Sequence, residues 1–191
     1  MAEKMRNELQ DLPKNYLVLI TSSPEKYVKT TYAILRVLLN EIGLTGVYIS
    51  VNRPYFTLLE RLKERGIKTD DLYLIDCASG LTGKSPGKTG QCYILSGPSN
   101  LTDLGMCISE LLASQSIKGR EENCFLFLDS VSTFLIYNDP AMVARFLHLI
   151  TSRAREHKLK GAIFSLRKDV EDIGVIAAIA QFCDKVIHVN G

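Results

Sequence analysis

The stretch YLVLITSSPEKYVKTTYAIL, residues 16–35, joins a continuously apolar run to a segment with helical periodicity. An apolar run without polar alternation is typical of a strand that helices cover on both faces. In the segment that follows, Ile34, Val37, Leu38 and Ile42 recur at the spacing of one helix face. The stretch therefore predicts a buried strand that passes through a short polar connection into an amphipathic helix.

The same alternation continues along the chain. Four further segments have the periodicity of amphipathic helices. One lies around Leu58, one covers residues 101–112, one begins at Asp139 and Pro140, and one covers residues 174–182. Strands that alternate with helices pack as a mostly parallel sheet between two helical layers, so the sequence predicts an α/β fold of three αβα layers. Five more apolar runs predict strands: GVYISV from Gly46, LYLID from Leu72, CFLFLD from Cys124, GAIFSL from Gly161 and KVIHV from Lys185.

Length and composition agree with one domain over residues 1–191, since the chain has 46% hydrophobic and 23% charged residues. We expect residues 1–15 to form an N-terminal extension. Residues 78–91, which are rich in Gly, Ser and Lys, read as a flexible surface loop. The net charge of +2 gives no electrostatic footprint for wrapping nucleic acid or coating an anionic membrane.

The five cysteines include no C-x-x-C pair, so we expect reduced thiols rather than disulfides or zinc. The first fifteen residues lack the apolar core of a signal peptide, and no apolar stretch is long enough to cross a bilayer. These features predict a soluble cytoplasmic protein that does not bind membranes. The three histidines have no partner at metal-ligand spacing, so we expect no metal other than magnesium.

The connection after the first strand aligns with a phosphate-binding loop, G-x-x-x-x-G-K-[ST], if Lys29 and Thr30 take its last two positions. Ser23 and Val28 then replace its glycines, and Val28 would crowd a phosphate in the tight turn. Glu25 adds a negative charge nearby. Lys29 and Thr30 are equally well explained as the solvent face of a starting helix. The candidate nucleotide-binding residues are Ser23, Lys29, Thr30 and Thr31.

A second match, ASGLTGKS at residues 78–85, satisfies a looser form of that pattern. A working phosphate loop leads straight into a helix, whose N-terminus supplies amides. Here Pro86, Gly87 and Gly90 follow, and no helix is expected before about Asn100. We interpret this stretch as a loop with exposed lysines.

The run FLFLDSVSTFL, residues 125–135, ends a predicted strand on Asp129. A carboxylate in this position can hold a magnesium-bound water near the hydroxyl of a phosphate loop. Asp129 and Thr30 are therefore candidate Mg²⁺ residues.

GVYISV followed by NRP and a helix, then FLFLDSVSTFL, then QFCDKVIHV, resembles the KaiC-like branch of the RecA superfamily of P-loop ATPases. The resemblance covers residues 16–189 and implies a RecA-like P-loop NTPase fold, ATP and Mg²⁺ as cofactors, and side-by-side assembly. It also implies a pair of glutamates after the second strand. This sequence has Asn52 and Arg53 there, and Asn52 cannot accept a proton from water. Arg53 is expected to pair with a phosphate or Asp129, or to be solvated.

The departures predict a degenerate member that binds nucleotide weakly or not at all and does not hydrolyse it. We expect it to act as a regulatory or protein-interaction module, with protein partners or through self-association. One alternative is an active ATPase with a rearranged site that uses Glu25 as its base. Another is a DNA-binding, recombinase-like accessory protein that contacts single strands through Lys84 and Lys88.

Overall fold

Eight strands form one sheet in a computed structural model, which describes residues 1–10, 12–114, 117–167 and 173–189. The strand order is β4-β5-β3-β2-β6-β7-β1-β8, and neighbours are parallel except for the antiparallel pair β4 and β5. All six predicted strands are present, so the mostly parallel sheet is confirmed. The strands are β1 Tyr16–Ser22, β2 Thr45–Ser50, β3 Leu72–Asp76, β4 Gly87–Thr89, β5 Cys92–Ile94, β6 Cys124–Asp129, β7 Gly161–Arg167 and β8 Lys185–Val189.

The five helices that the apolar spacing predicts are present, and the described residues form three others, α1, α4 and α6, that it does not predict. A π-helical segment, Arg36–Ile42, continues α2, and a 3₁₀ turn, Glu121–Asn123, precedes β6. The predicted start at Asp139 and Pro140 is confirmed, because α7 begins there. The α-helices are α1 Ala2–Gln10, α2 Pro24–Leu35, α3 Tyr55–Glu64, α4 Ala78–Leu81, α5 Leu101–Ala113, α6 Val131–Tyr137, α7 Pro140–Glu156 and α8 Ile173–Ala180.

Helices cover both faces of the sheet, which accounts for strands that are apolar along their whole length. In β1, Leu17 and Leu19 belong to a core with α5, α6 and α7, whereas Val18 and Ile20 belong to a core with α1, α2 and α3. Successive side chains of a strand point to opposite faces, so one strand serves both cores. The three-layer αβα arrangement follows from this double burial.

The segment 78–91 contains more regular structure than the sequence predicts. The expectation that no helix begins before about Asn100 is wrong, because α4 starts at Ala78. Asp76 caps this helix: its Oδ1 accepts hydrogen bonds from the amides of Ala78 and Ser79, at 2.8 and 2.9 Å. The strand β4 then forms a hairpin with β5. Elements this short have too few residues to show a period, which is why sequence patterning misses them.

The parallel strands β1, β2, β3, β6, β7 and β8 all end at the same edge of the sheet. This carboxyl edge is where ligands bind in open α/β folds. Among the described residues, no helix is long and apolar enough to span a membrane.

Candidate functional site

The backbone after β1 passes into α2 without a loop. Ser23 is the residue before the helix, and Pro24 is the first helical residue. The amides of Lys26 and Tyr27 donate to the carbonyl oxygen of Ser23, at 3.0 and 2.9 Å, and Pro24 has no amide hydrogen. At residues 24, 26 and 27, the amide hydrogens that could bind a phosphate are therefore absent or used within the helix, which is unfavourable for a phosphate-binding loop.

The start of α2 has a local cause. Proline fits the first helical position, because its fixed φ suits the helix and its missing amide hydrogen would be unsatisfied there anyway. Glu25 lies in the first turn, where the helix dipole favours a negative charge. The same carboxylate repels a phosphate. Because α2 begins at Pro24, Val28 lies within the helix, and the expectation of a tight turn at this residue is wrong.

The four candidate nucleotide residues do not share one environment. Lys29 is exposed on α2, whereas Thr30 is buried and its hydroxyl lies 4.0 Å from the sulfur of Met1. The hydroxyl oxygens of Ser23 and Thr31 are buried and have no hydrogen-bond partner among the described residues. The solvent-face interpretation thus fits Lys29 but not Thr30. Nucleotide binding by these residues stays a prediction.

Asp129 ends β6 as predicted, but its carboxyl group is buried. The hydroxyl of Tyr48 donates a hydrogen bond to Oδ2, while Oδ1 has no partner among the described residues. Burial raises the pKa of Asp129 to about 7. A carboxylate must lose its proton before it can bind a metal, so this environment weakens Asp129 as a Mg²⁺ residue. The described residues also contain no cluster of three His, Cys, Asp or Glu side chains that would hold a metal.

Asn52 closes a ring of hydrogen bonds at the position where the family resemblance places a glutamate. Its Nδ2 donates to the hydroxyls of Tyr27 and Ser130, each at 3.3 Å, and its Oδ1 accepts from the hydroxyl of Thr133. The hydroxyls of Ser130 and Thr133 are 3.1 Å apart. The ring links the end of β2 to the start of α6, and the bond from Asn52 to Tyr27 links it to the start of α2. Sequence reasoning missed Tyr27 and Thr133, because neither belongs to a motif.

Arg53 contacts a tyrosine rather than a carboxylate. Its guanidinium donates to the hydroxyl of Tyr32 at 3.0 Å, and Arg65 lies 4.4 Å from the centre of the same ring. The expectation that Arg53 pairs with Asp129 is wrong, because Tyr48 takes that place. A cation beside an aromatic ring stabilises local packing.

The lysines of the 78–91 segment lie against aromatic rings. The ammonium of Lys84 is 4.9 Å from the ring centre of Tyr55 and 5.2 Å from that of Phe56, and Lys88 is 4.8 Å from that of Tyr93. The segment itself has no aromatic residue, so the sequence gives no sign of this arrangement. Contact with single-stranded nucleic acid through these lysines stays a prediction.

Solved structures share this fold at low sequence identity. The uncharacterised protein PH0321 from Pyrococcus horikoshii, solved with an unknown peptide, matches with a TM-score of 0.65 and 18% identity over 97% of this chain and 82% of its own. The KaiC-like protein PH0186 from Pyrococcus horikoshii OT3 matches with a TM-score of 0.62 and 14% identity over 96% of this chain and 76% of its own.

The flagellar accessory protein FlaH from Methanocaldococcus jannaschii has a TM-score of 0.58 and 10% identity, over 97% of this chain and 76% of its own. These similarities show that the chain has a RecA/KaiC-type fold. No protein of curated function is significantly similar to it. The model of a family described as a family of unknown function (DUF7504) matches residues 17–189, and the chain therefore belongs to that family.

Proposed function

We propose that this protein binds nucleotide weakly or not at all on its RecA-type fold, does not hydrolyse it, and acts by binding a protein partner. One observation carries the proposal: α2 begins at Pro24, and the amides of Lys26 and Tyr27 donate to the carbonyl oxygen of Ser23. A triphosphate needs several free amides that converge on its oxygens. In this chain, the amides of Lys26 and Tyr27 are already hydrogen-bonded within the helix.

Two further features support the absence of hydrolysis. Asn52 is engaged in hydrogen bonds to Tyr27, Ser130 and Thr133, and its amide group has no basic lone pair to activate water. Burial raises the pKa of Asp129 to about 7, so its carboxyl group is mainly protonated below that pH. A site without a general base, whose candidate metal ligand is partly protonated near neutral pH, is poorly suited to phosphoryl transfer.

The role in partner binding has support from a neighbour of the same fold. PH0321, which shares this fold, was solved in complex with an unknown peptide. A RecA-type fold that does not hold a triphosphate can still act by recognition at its surface, which is the activity we propose for this chain.

Thermal unfolding with and without Mg-ATP tests the proposal. We expect the same midpoint under both conditions, for the wild type and for Lys29→Ala. A ligand present at one hundred times its dissociation constant would stabilise the fold by about 2.7 kcal/mol, which is easily detected. ATP turnover should equal that of a Lys29→Ala/Asp129→Ala control. A shift that Lys29→Ala removes, or turnover above that control, would overturn the proposal.

A further inference from the structure

A groove between α5 and α7 combines apolar side chains with two arginines. Its volume is about 400 Å³. The helices pack side by side on one face of the sheet. The groove, which we call the α5–α7 groove, is lined by Leu101, Thr102, Gly105, Met106, Met142, Arg145, Phe146, Leu149 and Arg153.

The walls of the groove are unusually exposed for apolar residues. Met106 is 62% exposed, Met142 52% and Leu149 44%. The floor is the ring of Phe146, and a methyl group added at Gly105 would stand 3.7 Å from that ring. Because glycine adds no side chain, the floor stays open. Flexible methionines on such a surface adapt to a partner's side chains.

The arginines of the groove have no acidic partner in the described part of the chain. Neither Arg145 nor Arg153 forms an ion pair with any described residue, although Arg155 on the same helix pairs with Asp184 at 3.7 Å. The Nε of Arg153 is buried and has no hydrogen-bond partner among the described residues. A buried donor without an acceptor is costly, and a carboxylate in the groove would pair with the part of Arg153 that lines it.

We propose that the α5–α7 groove binds an amphipathic helix of a partner protein that carries carboxylates at both ends of its apolar face. The proposal rests on the protein-binding function proposed above. Along α7 the groove extends from Met142 to Arg153, about 16 Å at the rise of an α-helix, which matches about three turns of a bound helix. Two helices that flank a hydrophobic groove commonly receive a third helix in this way.

The spacing of the arginines defines the partner further. Arg145 and Arg153 are eight residues apart on one helix, which corresponds to about 12 Å. A partner helix aligned with α7 therefore needs Asp or Glu at two positions that are seven or eight residues apart, with Leu, Ile, Met or Phe between them. A partner helix with Lys or Arg at these two positions would place positive charges beside Arg145 and Arg153, and its binding is disfavoured.

Selection from a library of randomised 16-residue peptides on the full-length protein tests the proposal. Enriched peptides should carry two acidic positions seven or eight residues apart around an apolar face. Their affinity, measured by fluorescence anisotropy, should fall at least about tenfold with Leu149→Glu and with Arg145→Glu. Ile42→Glu is the matched control, since Ile42 is 43% exposed but lies outside the groove, and it should change nothing. Thermal unfolding of each variant checks that it folds.

Several outcomes would overturn the proposal: no enriched peptide that depends on Leu149, enrichment of basic peptides, or binding of an oligonucleotide through the groove. A dimer in light scattering that Leu149→Glu dissociates would make the occupant a second copy of this chain and would also overturn it. These results leave the Mg-ATP measurement unaffected. A nucleotide-dependent shift would instead reject the proposed function, even if acidic peptides bind the groove.

Discussion

Asp129 shows how the position of one carboxyl group determines its chemistry. Two opposing effects act on it: the hydrogen bond from Tyr48 favours the ionised form, and burial favours the protonated form. Only one oxygen receives that bond, and the other has no partner among the described residues. Burial therefore dominates, and the pKa is raised to about 7. A residue in the position of a metal ligand is held as a neutral acid below that pH.

The raised pKa makes stability depend on pH in a defined direction. An unfolded aspartate has a pKa of about 3.9, so between about pH 4 and 7 the native state binds more protons than the unfolded state. The free energy of unfolding should therefore fall as pH rises through this window, by up to about 1.4 kcal/mol per pH unit. Asp129→Asn keeps the shape but cannot ionise, so it should remove this part of the pH dependence.

Urea unfolding at pH 5 and pH 8 measures the difference. The wild type should lose more stability between the two values than Asp129→Asn. Asp70→Asn changes an exposed aspartate and should behave like the wild type. Equal pH dependence of the wild type and Asp129→Asn would contradict the effect of burial on this carboxyl group.

At the scale of the element, α2 and α7 begin in different ways although both have proline at the start. Ser23 makes no side-chain hydrogen bond to the first turn of α2. Asp139 does so for α7, since its Oδ1 accepts from the amides of Ala141 and Met142 at 2.9 and 3.3 Å. The start of α7 thus depends on a side chain, and the start of α2 on the backbone of Ser23.

Substitution of Asp139 tests this dependence. Asp139→Ala removes the acceptor for two amides and should cost about 1 kcal/mol of unfolding free energy, as for other helix caps. Asp139→Asn keeps an acceptor oxygen and should stay within a few tenths of a kcal/mol of the wild type. Urea unfolding of the three proteins gives both numbers. An equal loss in Asp139→Asn would show that the cap is not what stabilises this helix end.

At the scale of the whole molecule, the segment before β1 belongs to the core. The extension predicted over residues 1–15 contains α1, whose Met5 and Leu9 are buried in the core that includes Ile34 and Leu38. Lys185 of the edge strand β8 forms an ion pair with Glu8 at 2.7 Å. This helix therefore covers part of the sheet and its neighbouring helix.

Truncation of Met5 measures the contribution of α1. Met5→Ala should destabilise the protein by about 2–5 kcal/mol, because it leaves a cavity under a fully buried side chain. Met106→Ala is the matched control: its side chain is largely exposed, so it should change stability by no more than about 0.5 kcal/mol. Thermal and urea unfolding give both values. Equal effects would show that α1 is not part of the folded core.

Local patterns were enough to predict the layers of the fold. The six apolar runs, the helical periods between them and the cap at Asp139 depend on residues within a few positions of one another. The Ser-Pro-Glu sequence at residues 23–25 is also a local helix start. Alignment with the phosphate-loop pattern instead suggested a loop there, since a motif is defined by spacing and not by the backbone it adopts.

What the amino-acid sequence determined by itself is an α/β protein with a sheet covered on both faces. Only the tertiary structure decided that Tyr48 donates to Asp129, that Asn52 meets Thr133, and that the α5–α7 groove is open. Asn52 and Thr133, like Tyr48 and Asp129, are 81 residues apart and meet because β2 lies beside β6. Strand order depends on the packing of the whole chain, so no local period reveals these contacts.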